Sequence, residues 1–360
     1  MQEERGIGGQ ALIARWDLDK TYLRTDFETL GDLVRTAIER PDLKRSVPGA
    51  AALLRELGKS GAKIHILSGS PRQMRRTLEE KLRIDRVRWD ELTLKPNLSN
   101  LMRLRLRALR DQLGYKLPLL LAARVRDQRL ASGNQAVSEV LVGDDAESDA
   151  FVYSLYADLL SGKIDRRQLD RVLRAGRLYD DQYDSIQRSL EAIVPCEAVE
   201  RILIHLDLQT PPSGFDDFGP RVVPFYNYLQ PAFVLAEDGR IEPDAVLRIA
   251  SELALRYRFD ADALARSYLD LMRRGHLRGA LCDKLGAALQ RSTVGQPGQR
   301  PAAATSTDRQ LGPPATLERM CELISEYLKS PPEPRARATR DPDYVELAAR
   351  HRGGRARKRR

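Results

Sequence analysis

Short apolar runs that end in acidic or hydroxyl side chains recur along the chain. They read ALIARWDL at residues 11–18, IHILSGS at 64–70 and EVLVGDD at 139–145. A run of this length that is bounded by polar residues is typical of a buried strand. We predict a strand over each of them and a fourth over 202–208, where ILIHLDL repeats the pattern.

Between these runs, apolar residues return at the spacing of an amphipathic helix. Examples are AALLRELGKSG at 51–61 and the Leu- and Arg-rich stretch from Leu101 to Leu113. Strands that alternate with helices predict an α/β fold, here a doubly wound, mainly parallel sheet with helices on both faces. Ligands of such folds bind at the carboxyl ends of the strands. The polar residues that end each run fall at these positions.

The rest of the chain divides by composition. Residues 210–231 are dense in Pro, Gly and aromatic side chains, which favours an ordered loop, and amphipathic helices are predicted from Asp244 to Gln290. The folded body is expected to end near Arg291, and a later short amphipathic helix could be capped by Thr316. The predicted organisation is a core over 1–210 with a helical insertion over about 163–198, an aromatic loop and α-helical extension over 211–291, a flexible linker over 292–315, an amphipathic helix over 316–329 and a disordered basic tail over 330–360.

The positive charge is concentrated in this tail. The sequence carries 60 Lys and Arg against 51 Asp and Glu, a formal charge of +9. Residues 331–360 contain ten basic and four acidic side chains, which leaves +6 there and only +3 elsewhere. Because a folded nucleic-acid-binding face is expected to be basic itself, we expect a polyanion contact, with nucleic acid or an anionic membrane surface, only through residues 335–360. A solvated end is the alternative.

Several classes of protein are excluded by what the sequence lacks. No apolar run approaches the ~18 residues of a membrane span, and no secretory signal is visible, so we expect a cytoplasmic protein without a transmembrane segment. Cys196, Cys282 and Cys321 are too scattered for a disulfide framework or a paired zinc site. His65 and His205 lie within strand patterns and are expected to be structural.

An acidic pair, Asp17 and Asp19, stands where the first apolar run ends, in the sequence DLDKT. Two residues apart on an extended chain, the carboxylates point to the same side. One can attack phosphorus while the other exchanges protons with the leaving group and with water. Turn and helix-cap roles are the alternative for both acids.

Hydroxyl, amide and ammonium groups follow further along the chain. Ser68 ends the second run, and Gly69, Ser70 and Pro71 predict a capped helix start, whose free amides form a seat for phosphate. An ordinary strand-to-helix turn would read the same way. Lys116, predicted near a helix start, is unfavourable there unless it faces acids or phosphate.

The third run ends in Gly143, Asp144 and Asp145, and Asp149 follows shortly after. Clustered carboxylates suit magnesium, which binds oxygen ligands and bridges to phosphate. A solvated acidic loop is the alternative.

Together and in this order, these motifs resemble those of the haloacid-dehalogenase-like phosphohydrolases. More narrowly, residues 10–210 are similar to the phosphatidate phosphatase catalytic-domain family of the actin-patch type. The resemblance implies Asp17 as nucleophile and Asp19 as acid and base. It also implies that Thr21, Ser68, Gly69 and Lys116 orient phosphate. Mg²⁺ would be bound by Asp17, the Asp19 carbonyl and Asp144; Asp145 and Asp149 remain alternatives, either as a further metal ligand or as the residue that holds Lys116.

The expected enzyme is a magnesium-dependent phosphomonoester hydrolase. The insert between Tyr22 and Ser46 is too small for a full lid, so the cap is minimal and the site is expected to be open. An open site favours a lipid or macromolecular phosphate ester over a small metabolite. Phosphatidate is the substrate that the family implies, a polynucleotide end phosphate is its competitor, and a non-catalytic binding module recruited by the basic tail is the alternative from another class.

Overall fold

Two compact units make up the chain. The computed structural model describes residues 11–23, 46–95, 109–130, 137–146, 148–294, 313–331, 333 and 341–357. We call the first unit the sheet unit; it comprises the described residues within Gly9–Val47, Gly61–Tyr226 and Ala338–Arg360. The second, the helical unit, comprises the described residues within Pro48–Ser60 and Asn227–Arg337.

The sheet unit is built on a single parallel sheet. Its strands are β1 (Ala11–Asp17), β2 (Lys63–Pro71), β3 (Glu91–Lys95), β4 (Val137–Asp144), β5 (Val199–His205) and β6 (Val222–Phe225). Their order is β3-β2-β1-β4-β5-β6, and every pairing is parallel. The prediction of an α/β fold with a mainly parallel sheet is therefore confirmed, and the arrangement is consistent with a Rossmann-like fold. The chain reverses its direction of travel across the sheet between β1 and β4, and ligands of open α/β sheets bind at such a point.

Helices flank this sheet and also build the second unit. They are α1 (Ala50–Lys59), α2 (Arg75–Ile84), α3 (Leu109–Leu130), α4 (Asp149–Leu160), α5 (Arg166–Gly176), α6 (Asp180–Glu191), α7 (Leu229–Glu237), α8 (Pro243–Tyr257), α9 (Ala261–Arg273), α10 (Leu281–Val294), α11 (Pro313–Leu328) and α12 (Tyr344–Arg357). Short 3₁₀ turns lie at Arg72–Met74 and Pro212–Phe218. The predicted helical insertion over 163–198 corresponds to α5 and α6. Among the described residues, no helix combines the length and the apolar character that crossing a lipid bilayer requires.

The two edge strands, β3 and β6, were not predicted. The segment 211–226, expected as a loop, contributes β6, which pairs with β5 from Ile202 to His205. Most of the insert predicted between Tyr22 and Ser46 lies outside the described residues; at its ends, Leu23 forms an isolated bridge with Ser46.

The helical unit corrects two predicted boundaries. α1 was placed in the core over 1–210, but it packs with α8, and Arg248 donates a 2.6 Å bond to Glu56. The folded body does not end near Arg291, because α11 packs on α9 and α10 and buries Leu317, Met320 and Ile324. Thr316 lies inside α11 rather than at its cap. Of the predicted linker over 292–315, residues 295–312 lie outside the described part.

The tail prediction is wrong over α12. The Tyr344 hydroxyl donates to the Asp158 carboxylate over 2.6 Å, and its ring meets Phe151 edge-on with the centroids 5.6 Å apart. Leu347 and Ala348 are buried beside it. These apolar residues stand at helical spacing within a sequence whose high charge suggested disorder. The start of α12 is therefore part of the sheet unit's core.

Candidate active site

The carboxyl ends of three adjacent strands bring most of the candidate residues together. Asp17 ends β1, Asp144 ends β4, and Ser68 lies near the end of β2. All three side chains are buried. The site thus lies where the chain reverses its course across the sheet.

Lys116 approaches Asp17 from α3. Its Nζ lies 3.3 Å from Asp17 Oδ2 and also forms an ion pair with Asp149. Lys116 is not near a helix start, as predicted from the following Pro118, because α3 begins at Leu109 and contains the proline. What holds the buried ammonium is therefore a pair of carboxylates, and the helix dipole has little part in it.

Asp19 lies beyond the end of β1, in a turn. Lys20 adopts the left-handed conformation, with φ 59°, and the Thr21 hydroxyl donates to the Asp17 carbonyl. Because a carbonyl can only accept, His205 carries its proton on Nδ1 and donates to the Lys20 carbonyl over 2.9 Å. The two acids are therefore not held by a common extended strand. Each has its own set of partners.

The partners of Asp19 are hydroxyl groups of β2. Ser68 Oγ donates to Asp19 Oδ2 over 2.9 Å, and Ser70 Oγ lies 3.4 Å from Asp19 Oδ1. Ser70 does not cap a helix as predicted, since β2 continues to Pro71 and α2 begins only at Arg75. Ser68 also accepts a 3.0 Å bond from the Ser70 amide, which fixes its hydroxyl toward Asp19.

Three buried carboxylates, that of Asp17 among them, lie close together and form what we call the acidic cluster. One oxygen from each of Asp17, Asp144 and Asp149 lies within 4.8 Å of the other two. The Asp144 amide donates to Asp149 Oδ2 over 3.1 Å. This approach depends on Gly143, because a Cβ there would lie 2.5 Å from the Asp149 Cβ.

Asp145 is directed elsewhere. Its carboxylate accepts from the amides of Leu208 at 2.8 Å and Thr210 at 3.0 Å, so it fixes the loop after β5. The structure therefore places Asp149, and not Asp145, beside Asp17 and Asp144. Asp149 combines both roles that were left open, since it joins the acidic cluster and contacts Lys116.

The acidic cluster fits a divalent cation by its chemistry. Its donors are carboxylate oxygens, the ligands that Mg²⁺ prefers. Taken together, these three carboxylates and the Lys116 ammonium carry a net charge of −2 when all are ionised, and a bound cation would lower the cost of burying that charge. The Asp19 carboxylate, occupied by Ser68 and Ser70, is not part of the cluster.

Sequence reasoning missed several residues of this site. His205 was expected to be structural, but its hydrogen bond to the Lys20 carbonyl, in the turn that carries Asp19, was not foreseen. Tyr115 donates its hydroxyl to the Ser68 carbonyl over 3.0 Å. Gly143 belongs to a motif in the sequence, but only the three-dimensional structure shows that a Cβ at this position would collide with Asp149.

Comparisons of the chain with models of protein families, with curated proteins and with solved structures find no match.

Proposed function

We propose that the protein is a phosphomonoester hydrolase that uses Asp17 as its nucleophile. The observation that carries the proposal is the separation of the two acids. Asp17 lies against a buried lysine and an acidic cluster, and Asp19 lies against two hydroxyl groups. Two carboxylates in different environments can take different roles in one reaction.

The reaction runs in two balanced steps. In the first, an Asp17 oxygen bonds to phosphorus while the bond from phosphorus to the leaving oxygen breaks, and Asp19 gives that oxygen a proton. In the second, Asp19 removes a proton from water as the water oxygen attacks phosphorus. Inorganic phosphate then leaves, and Asp17 is restored as a carboxylate.

The remaining residues hold the reacting groups in place. Lys116 supplies positive charge beside Asp17, where an anionic nucleophile meets an anionic phosphate. Ser68, Gly69 and Thr21 border the turn on which phosphate is oriented; Thr21 also fixes the Asp17 backbone by its hydrogen bond.

Asp17, Asp144 and Asp149 would hold Mg²⁺, together with the Asp19 carbonyl that the resemblance implies. The ion would supply Lewis-acid stabilisation of the charge on the phosphoryl oxygens. Asp149 keeps Lys116 aligned in the same arrangement.

The test is phosphate release from a small aryl phosphate in the presence of Mg²⁺. Asp17→Asn should abolish turnover, and Asp19→Asn should reduce it by ~10² to 10⁴. Asp145→Asn is the matched control, since its carboxylate binds loop amides outside the cluster. Circular dichroism checks that each variant is folded. Equal turnover by Asp17→Asn and the wild type would refute the nucleophile, and absence of turnover in the wild type would favour a binding module.

The substrate belongs to the same proposal. The expected open site favours a lipid or macromolecular phosphate ester over a small metabolite. Phosphatidate and a polynucleotide end phosphate both belong to this class of substrate. The protein is proposed to act in the cytoplasm.

A further inference from the structure

A second buried lysine borders the candidate site from the far side of β2. Lys95 is the last residue of β3 and is only 6% exposed. Its Nζ lies 4.4 Å from the centroid of the Tyr115 ring, a cation–π distance. Tyr115 itself is anchored to the Ser68 carbonyl, so Lys95 is positioned by the same residue that supports the end of β2.

The surroundings of Gly69 show that Lys95 lies close to Asp19. A Cβ built at Gly69 would lie 3.6 Å from Asp19 Oδ2 and 3.9 Å from Lys95 Nζ. The carboxylate of Asp19 and the ammonium of Lys95 therefore approach the same side of Gly69. An irregularity in the pairing of β2 with β3, between Ser68 and Pro71, brings Lys95 opposite Pro71 at this edge.

The two lysines lie near different acids of the site. Lys116 contacts Asp17 and Asp149, on the side of the acidic cluster. Lys95 lies on the side of Asp19, the acid that gives its proton to the leaving oxygen in the proposed reaction. The departing group must therefore lie beside Asp19, and a cation there acts on that group.

We propose that Lys95 is a specificity-determining residue that selects phosphomonoesters whose leaving group carries its own negative charge near the scissile oxygen. This inference rests on the proposed function. A buried ammonium is poorly hydrated, so an anion that it meets gains more than the same contact would give in water. A neutral alcohol, such as a diacylglycerol, has no anionic group that can pair with the Lys95 ammonium. An alcohol that bears a neighbouring phosphodiester or carboxylate does have one.

Two aryl phosphates that differ by one charge test the inference. In 3-carboxyphenyl phosphate the leaving phenol bears a carboxylate, and in 3-carbamoylphenyl phosphate it bears a neutral group of similar size. The measured quantity is the ratio of kcat/KM for the anionic ester to kcat/KM for the neutral ester. For the wild type we expect a ratio of about 10 to 100, the range that one hydrogen bond to a charged group is worth.

The variants isolate the charge of Lys95. Lys95→Met keeps an unbranched chain over the Tyr115 ring but removes the charge, so the ratio should fall to about one. Lys95→Arg keeps the charge and should retain a clear preference for the anionic ester. Lys63→Met is the matched control, because Lys63 is exposed at the opposite end of β2; its ratio should equal that of the wild type.

The outcomes separate this inference from the proposed function. A wild-type ratio near one, or a preference that survives in Lys95→Met, overturns the role of Lys95 while phosphate release still supports the hydrolase. Failure of the wild type to hydrolyse either ester overturns the proposed function and this inference with it. A measurement on the wild type alone guards against misfolded variants: 3-hydroxybenzoate should inhibit hydrolysis of the neutral ester more strongly than 3-hydroxybenzamide, and equal inhibition would count against the proposal.

Discussion

A single missing methyl group shapes the acidic cluster. Because Gly143 has no side chain, Asp149 can approach the end of β4 and accept a hydrogen bond from the Asp144 amide. The cluster is thus built by close approach of a helix start to a strand end.

Gly143→Ala should therefore displace Asp149 and weaken the cluster. A Cβ at 2.5 Å from the Asp149 Cβ cannot be accommodated without movement of the backbone, and overpacking of this kind costs about 1 to 3 kcal/mol. We expect a lower free energy of unfolding and weaker Mg²⁺ binding by calorimetry. Gly58→Ala, where nothing lies within 4 Å of the added carbon, is the control. Unchanged Mg²⁺ affinity in Gly143→Ala would contradict the assignment of the cluster.

His205 supports the turn that carries Asp19 by its hydrogen bond to the Lys20 carbonyl. His205→Leu removes the donor to the Lys20 carbonyl, and a shift of about 1 Å in a reacting group can cost up to ~10² in rate. We expect a fall in kcat with little change in KM. His205→Asn, whose amide can replace the Nδ1 donor, should recover much of the loss. Equal effects of the two substitutions would reduce the histidine to a packing role.

At the scale of elements, continuous apolar runs predicted strands well and polar or short strands poorly. β1, β2, β4 and β5 have neighbours on both edges, and their apolar runs reflect burial on both faces. β3 reads ELTLK, and β6 has four residues including Pro224. Proline is tolerated at a sheet edge, where one side of the strand has no partner to bond. Both edge strands therefore lack the continuous apolar run that identifies an inner strand in the sequence.

The sequence identified the site residues whose chemistry follows from their type and their place near a strand end. It did not identify the contacts that depend on how the chain packs in three dimensions. Asp17 and Asp144 end their strands, Asp19 and Ser68 lie close to strand ends, and a pattern can find strand ends. Lys116 and an acid that could hold it were identified, but its place in the helix was not, because Pro118 suggested a helix start and lies instead within α3. The choice between Asp145 and Asp149 depends on loop amides at 208 and 210 that are distant in sequence.

A buried ionic network joins β1, β4 and α3 beneath the site. Arg15 donates to Glu139 and to Asp127, each over 2.7 Å, and Arg124 donates to Glu139 over 3.0 Å. Burial alone would raise the pKa of Glu139, but the charges of Arg15 and Arg124 and the hydrogen bonds from Arg15 and Tyr156 lower the pKa below its ordinary value. Glu139 is therefore ionised in the folded state under conditions in which the unfolded chain is already protonated.

This network predicts a loss of stability in acid. Glu139 contributes fully to stability above its unfolded pKa of about 4.3, and the contribution is lost as the pH falls from there through the lower folded pKa. Glu139→Gln should lower the free energy of unfolding at pH 7 by about 3 to 5 kcal/mol, since it leaves buried arginines without their partner. Urea unfolding from pH 7 to pH 3 should show a shallower pH dependence for the variant than for the wild type. Parallel curves would exclude Glu139 as a contributor.

At the scale of the whole molecule, the basic end of the chain divides into an anchored part and a charged part. Tyr344, Leu347 and Ala348 are buried in the sheet unit. The last nine residues, 352–360, contain six basic and no acidic side chains. Stability and polyanion binding should therefore be separable within this one segment.

Two truncations test that separation. A chain that ends at His351 should unfold at nearly the wild-type temperature but bind an anionic vesicle or an oligonucleotide more weakly, with a smaller dependence of affinity on salt. A chain that ends at Arg340 should also lose stability, because Phe151 and Asp158 lose their contacts with Tyr344. Thermal unfolding and binding titrations over a range of salt concentrations measure both. Equal unfolding temperatures for the two truncated chains would show that α12 adds no stability.

The placement of α1 has a consequence for the order in which the chain can mature during synthesis. α1 belongs to the helical unit, yet the chain between α1 and the rest of that unit forms most of the sheet unit. At typical rates of translation, on the order of ten seconds pass between the emergence of Ser60 and that of Asn227. Throughout this interval the apolar face of α1, with Leu53, Leu54 and Leu57, has no partner helix from its own unit. A nascent chain halted before Asn227 should therefore be a better substrate for chaperones that bind exposed leucine-rich helices than the completed protein.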